Sequence, residues 1–250
     1  MKRVLFVAYY FPPIAASGAM RPLGFCRHLD SYGWSSRVLS TTTESVYPPH
    51  PVDHELGAQV PAGVAVERVG YRDSLSRLLD IRDHVQSALF GRPVLRNGGG
   101  GTDESKGSSG VAAGKPRSIL RDAILDWMFA FPDRPMSWTG PAVARIMALE
   151  ERLKPDIVIA TGGPWTNFIV GRMLSRRLGC PLILDYRDPW TFNPYYSFGV
   201  RFLNQKARRL EQALCSAASR VIANTDELRQ RLCIEYPEIE HKCIAISNGF

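Results

Sequence analysis

Short runs of apolar residues alternate along the chain with segments whose apolar positions recur every three or four residues. Val4–Tyr9 is a continuous apolar run of strand length. Ala19–Tyr32 follows, with Met20, Leu23, Cys26 and Leu29 spaced three apart, a helical stripe closed by Gly33. Ser36–Ser40 and Val64–Val69 read as the second and third strands, and Leu75–Phe90 as a helical stretch. Ile119–Phe131 predicts an unusually apolar helix ended by Pro132 and Pro135, and Val143–Leu153 a shorter one closed by Pro155. The remainder repeats the alternation. It predicts strand Asp156–Thr161, helix Trp165–Leu178, strand Pro181–Arg187 and helix Val200–Ala217. Strand Arg220–Asn224, helix Thr225–Leu232 with Thr225 as N-cap, and strand Lys242–Ile246 complete it. Strands rich in Val, Ile and Leu alternating with helices predict an α/β fold. The sheet is Rossmann-like, doubly wound and parallel, with both faces covered.

One stretch breaks the pattern. Gly91–Ser118 runs through Gly98–Gly101 into Thr, Asp, Glu, Ser and Lys, with too little apolar matter to fold, and reads as a flexible insertion. It is no phosphate loop, because no strand feeds it and no G-K-[ST] ends it. The apolar run behind Lys2 and Arg3 is short and is broken by Pro12-Pro13, so it reads as a buried first strand rather than a signal peptide. No run of about 18 apolar residues occurs, so no membrane-spanning helix is predicted.

Composition narrows the class. With 250 residues and a hydrophobic fraction of 45%, the chain can bury a core without staples. A net charge of +7 favours anionic partners: nucleotide sugars, lipid phosphates or an acidic membrane surface. Its Arg residues are scattered over helix faces without a recognition motif, which argues against nucleic acid. Cys26, Cys180, Cys215, Cys233 and Cys243 are odd in number, widely spread and without a C-x-x-C pair. That pattern argues against both a disulfide framework and a zinc site and predicts buried thiols in a reducing compartment.

In doubly wound sheets ligands sit beyond the carboxyl ends of the strands, so the loops there carry the candidate chemistry. The first is Phe11–Pro22: paired prolines stiffen the strand exit, Gly18 leads into a helix whose free N–H groups can face an anion, and Arg21 adds a charge. The second is Thr161-Gly162-Gly163-Pro164-Trp165-Thr166, where glycines let a ligand approach the backbone. The third is Asp185-Tyr186-Arg187-Asp188-Pro189-Trp190, three charges at the end of a buried strand, which are costly unless paired or bound to a ligand. Taken singly, the first two loops also fit plain strand–helix turns, and the third fits a structural Arg–Asp pair.

Together their order and spacing resemble the N-terminal domain of the bacterial family-four retaining glycosyltransferases of the GT-B fold. The resemblance rests on Val4–Pro13 with Gly18 and Arg21, then Phe131-Pro132-Asp133-Arg134 with Trp138. It continues through Lys154–Ala160, Asp185–Trp190, Glu211, Ala218–Ile222 and Ser247-Asn248-Gly249-Phe250. It implies transfer of a sugar from a nucleotide diphosphate sugar to a glycan or lipid-linked acceptor of the cell envelope or an exopolysaccharide, with no metal and no cofactor. It implies that residues 1–246 form the acceptor-side domain, that 247–250 begin an interdomain linker, and that a donor-binding domain lies outside the chain. The roles carried over are catalysis for Arg187 and Asp188 and donor phosphate binding for Gly18 and Arg21. Acceptor binding falls to Thr161, Gly162, Gly163, Trp165 and Trp190. The setting is cytoplasmic, peripheral to the inner face of the cytoplasmic membrane. Two positions depart from the family: Ala15-Ala16 stands where Gly-Gly is common, and Arg187-Asp188 where many members have a histidine. Two alternatives stay open. One is a nonenzymatic module that binds an acceptor or partner. The other is a nicotinamide-dependent Rossmann enzyme with Glu44 on the ribose, though the first loop has no G-x-G-x-x-G.

Overall fold

The computed structural model describes residues 1–72, 131–149 and 154–248. Within them the strands are β1 (Lys2–Val7), β2 (Trp34–Thr41), β3 (Ala65–Val69), β4 (Ile157–Thr161), β5 (Leu182–Tyr186), β6 (Arg220–Ala223) and β7 (Cys243–Ala245). They form a 7-stranded sheet in the order β3-β2-β1-β4-β5-β6-β7, parallel throughout. The helices are α1 (Ser17–His28), α2 (His54–Ala58), α3 (Thr139–Met147), α4 (Thr166–Leu178), α5 (Arg201–Ala217) and α6 (Asp226–Glu235). This is the doubly wound α/β arrangement that the alternation predicts. The chain steps one way from β1 to β3 and the other way from β4 to β7. Right-handed crossovers therefore send α1 and α2 to one face and α3 to α6 to the other.

The core follows from that split. Alternate residues of β1 point to opposite faces. Val4, Phe6 and Ala8 meet Leu23 and Cys26 of α1 and Leu56 of α2. Leu5, Val7 and Tyr9 join the larger cluster with Ala142, Val143 and Ile146 of α3 and Phe168, Val170 and Leu174 of α4. The largest side chains without exposed surface include Trp138, Trp190, Tyr9, Tyr186 and Tyr236. Trp138 keeps its indole N–H satisfied by donating to the Val69 carbonyl at 3.0 Å.

Element ends follow local chemistry. Gly33, at φ 78°, closes the first helical stretch, whose last turn tightens into a 3-10 segment, Leu29–Tyr32. The Thr225 hydroxyl accepts from Leu228 N at 3.1 Å and caps α6, with Asp226 and Glu227 in its first turn. α2 has no counterpart in the sequence pattern: its five residues are too short for periodicity and are set by Asp53, whose carboxylate accepts from Leu56 N at 2.9 Å. Lys242, 8% exposed, donates to the Ser216 and Ala218 carbonyls at 2.7 and 2.8 Å and so ties β7 to the end of α5. All five cysteines are free; Cys26, Cys215 and Cys243 are buried as expected, whereas Cys180 and Cys233 are only half-buried. No helix among the described residues is long and apolar enough to cross a membrane. The helix expected over Leu75–Phe90, the insertion Gly91–Ser118 and all but Phe131 of the helix expected over Ile119–Phe131 lie outside the described residues.

Candidate functional site

The order of strands reverses between β1 and β4, and the loops leaving β1, β4 and β5 converge there. Arg187, the first residue after β5, joins them. Its Nε donates to the Gly162 carbonyl at 2.8 Å and its Nη2 to the Gly163 carbonyl. The same guanidinium lies against Gly18 at the start of α1: a Cβ there would stand 2.8 Å from Arg187 Cζ and closer still to Nη1. Gly163, at φ 66°, has room for the guanidinium only because it lacks a side chain. Asn224, after β6, holds the backbone from the other side, donating from Nδ2 to the Arg187 carbonyl at 2.6 Å. Burial lowers the Arg187 pKa from its ordinary value, and the charges of Asp188 and Asp185 oppose that shift.

Arg21 of α1 is paired as well. Its Nε lies 2.9 and 3.1 Å from the two Asp185 oxygens, and its Nη1 donates to Asn248 Oδ1 at 2.9 Å. With side chains 6% and 1% exposed, Arg21 and Asp185 form a buried ion pair, so most of the Arg21 charge is spent inside the protein. Nη2 is 2.9 Å from Asp185 Oδ1 but makes no hydrogen bond of proper direction, which leaves it the unspent donor of the group.

A cavity of about 660 Å³ opens beside this junction. Ser17, Arg21, Arg187, Asp188, Asn224 and Asn248 line it, together with Met20, Phe25, Leu29 and Tyr32 of the first helical stretch and the basic Arg27 and His28. The N-terminus of α1 adds partial positive charge: Ala16 gives no side-chain cap and no acidic residue lies in the first turn. Chemically the pocket combines cations and a helix N-terminus with apolar side chains of the same helical stretch.

The candidate acceptor residues occupy other places. Gly162 and Gly163 spend their carbonyls on Arg187. Thr161 is 3% exposed, Trp165 8% and Trp190 0%. The two indoles stack at 4.9 Å and 8°, so both rings act as packing groups beneath the loops, and Trp190 has no surface with which to touch an acceptor.

Two carboxylates near the site had no role assigned from sequence. Asp133 keeps part of its residue surface in solvent but turns its carboxylate onto the start of α4. There Oδ2 accepts from Trp165 N and from Thr166 N at 3.1 Å, and Oδ1 accepts from the Thr166 hydroxyl. Burial pushes its pKa up to about 6 in spite of those three donors. Glu211 has no exposed surface. Its Oε2 accepts from Thr191 N at 3.1 Å, Thr191 Oγ1 at 2.5 Å and Tyr236 OH at 2.9 Å, and its Oε1 from Tyr186 OH at 3.1 Å. Tyr186 precedes Arg187 and Thr191 follows Trp190, so one carboxylate grips both ends of the segment that carries Arg187 and Asp188. Burial raises the Glu211 pKa, and the donors around it work in the opposite direction. Both residues stand in stretches that carry the family resemblance, but only the folded contacts give them partners.

The family model described as Glycosyltransferase Family 4 matches residues 107–250, more than half of the chain. Gly18 and Arg21 therefore lie outside the matched stretch. Among solved structures, a glycosyltransferase from Rickettsia africae is similar at 14% identity and TM-score 0.42, over 99% of this chain and 43% of that one. UGT73P12 of Glycyrrhiza uralensis, solved with glycyrrhetinic acid 3-O-monoglucuronide, is similar at 12% identity and TM-score 0.44, over 99% of this chain and 48% of that one. A protein described as a UDP-N-acetylglucosamine 2-epimerase from Listeria monocytogenes is similar at 12% identity and TM-score 0.47, over 97% of this chain and 44% of that one. The chain thus spans less than half the length of each of these structures. No curated protein matches the sequence.

Proposed function

The chain belongs to glycosyltransferase family 4, and from that premise we propose that it is the acceptor-side half of a two-domain, retaining GT-B enzyme. The donor is a nucleoside diphosphate sugar and the acceptor a cell-envelope or exopolysaccharide glycan, free or carried on lipid, with no metal taking part. In the proposed reaction the bond from the anomeric carbon to the diphosphate breaks. The diphosphate leaves with the electron pair, and the acceptor oxygen takes its place on the same face of the sugar and gives up its proton to the departing diphosphate. The observation that carries the reading is the placement of Arg187 at the meeting of the β1, β4 and β5 loops, on the rim of a cavity with the uncapped α1 N-terminus.

In this reading Gly18 and the α1 N-terminus approach the leaving diphosphate, and Arg187 supplies positive charge to it. Arg21 acts through Asp185, holding the end of β5. Asp188, exposed on the cavity rim, meets the acceptor hydroxyl as the second catalytic group. Gly162 and Gly163 shape the acceptor side by fixing the Arg187 guanidinium, with Thr161, Trp165 and Trp190 packed beneath them. The protein works in the cytoplasm, peripheral to an anionic membrane that presents the acceptor.

The test uses the full-length enzyme with its donor-binding domain. Arg187→Ala should lower turnover by at least about tenfold, about 1.4 kcal/mol of transition-state stabilisation. A folded variant with undiminished turnover would remove Arg187 from the reaction.

A further inference from the structure

The segment that leaves the proposed site toward solvent has an unusual composition. Thr191–Arg209 holds five aromatic residues (Phe192, Tyr195, Tyr196, Phe198 and Phe202), four cations (Arg201, Lys206, Arg208 and Arg209) and no acidic residue. Folding divides these side chains. Tyr196 and Phe198 turn inward: the Tyr196 hydroxyl donates to the Pro132 carbonyl at 2.9 Å, and the Phe198 ring lies 5.4 Å from Phe131. Tyr195, just before them, turns outward and is 95% exposed, and Phe202, in the first turn of α5, is 63% exposed.

α5 follows directly in the chain. Leu203, Ala207, Glu211, Leu214 and Cys215 form its buried stripe. Its sole carboxylate, Glu211, is thereby withdrawn from solvent. Positions 201, 202, 205, 208 and 209 are exposed and fall on one arc of the helix, so Phe202 shares its face with Arg201 and Arg209. Arg208 is paired with Glu235 and contributes less net charge. Exposed aromatic rings among cations, held by anchored neighbours, suit the interface of a bilayer: the rings enter the headgroup layer and the cations meet lipid phosphates.

Resting on the reading above that the enzyme is peripheral to an anionic membrane, we propose that Tyr195, Phe202, Arg201 and Arg209 form its lipid-docking surface. The partner is the anionic leaflet itself. Because the segment begins three residues after Asp188, docking there holds the site next to the headgroups where a lipid-linked acceptor would lie.

Sedimentation with vesicles of phosphatidylglycerol and phosphatidylcholine decides it, using the unmodified chain, Tyr195→Ser with Phe202→Ser, and Arg201→Glu with Arg209→Glu. The expected result is binding to anionic vesicles that weakens with salt and is absent on pure phosphatidylcholine. Each basic residue near an anionic surface is worth about a fivefold change in partition, so the double charge reversal should lower binding at least about twenty-fivefold. The double serine variant should lose most of the binding that survives high salt. No binding by the unmodified chain would overturn the docking surface and the peripheral reading together. Undiminished binding by both variants would overturn the surface and leave the peripheral reading intact. Tighter binding to a single-stranded RNA probe than to vesicles, abolished by the same substitutions, would assign the surface to nucleic acid and overturn the proposal. The altered side chains are exposed, and unchanged far-ultraviolet circular dichroism identifies folded variants.

Discussion

Gly18 and Arg187 are separated by most of the chain and yet share one space. Gly18→Ala would put a methyl group where the guanidinium sits, and Arg187 would have to leave the Gly162 and Gly163 carbonyls. The helix itself tolerates alanine better than glycine, by about 1 kcal/mol in an exposed interior, so helix propensity and site geometry pull in opposite directions. The expected outcome is a variant that keeps its fold but binds nucleoside diphosphate at least about tenfold more weakly, the equivalent of about 1.4 kcal/mol. Calorimetry on the full-length enzyme measures it, and unchanged affinity would show that the close approach has no part in binding. Glu211 gives the complementary case. Glu211→Ala leaves the hydroxyls of Tyr186, Thr191 and Tyr236 without their buried acceptor. The loss should be about 3 kcal/mol or more, read from urea unfolding. A loss under about 1 kcal/mol would mean that the hydroxyls find other partners.

At the scale of elements, the start of α4 depends on a residue from another segment. Asp133 follows Pro132 and reaches the Trp165 and Thr166 amides, so the turn before α3 and the loop after β4 are joined through one carboxylate. Its pKa, raised by burial to about 6, has a defined consequence for stability. An unfolded Asp titrates near about 4, so between about 4 and about 6 the folded protein binds more protons than the unfolded chain. Stability therefore gains from this group as pH falls from about 6 to about 4, and the gain is absent above about 6. Asp133→Asn keeps an acceptor for the amides and removes the titration. Stability differences between variant and unmodified chain, from urea unfolding across that window, should change by up to about 1.4 kcal/mol per pH unit. A pH-independent difference would show that Asp133 titrates in its ordinary range.

For the molecule as a whole, the charge balance and the open cavity point to weak, salt-sensitive binding of anions. The net charge is +7, and the cavity is lined by Arg187 and by the N-terminus of α1. Because the proposed donor site has its second wall in another domain, this domain alone should hold nucleoside diphosphates only near ~1 mM, about 4 kcal/mol of binding. Affinity should fall further between 50 and 200 mM salt, on the order of severalfold, as counterions screen the pocket. Calorimetry of the chain with nucleoside diphosphates and with inorganic pyrophosphate measures both. Micromolar affinity, or none of the salt dependence, would contradict the division of labour between two domains.

Among the described residues, the sequence by itself determined the seven strands and the longer helices, though not the five-residue α2. Alternation, helical spacing, Gly33 and Thr225 act within a few residues, and burial of one face suffices to select each element. It also marked the three loops at the carboxyl ends of β1, β4 and β5 as the place for chemistry, because parallel crossovers leave ligands nowhere else. What it left open was the partner of each side chain there. Arg21 and Asp185 stand 164 positions apart, and only sheet order brings them into one ion pair. Arg187 reads equally as a free cation or a staple until the Gly162 and Gly163 carbonyls are seen under it. Trp190 follows a charged turn and looks available, yet the parallel stacking of Trp165 removes its surface. Glu211 lies on a helix whose pattern shows only that it faces inward, and the hydroxyls that make its burial tolerable come from two other segments, the one from Tyr186 to Thr191 and the one that carries Tyr236. Periodicity reports which face is buried. The choice of partner across that face is an energy of contact between distant segments, and only the packed tertiary structure sets it.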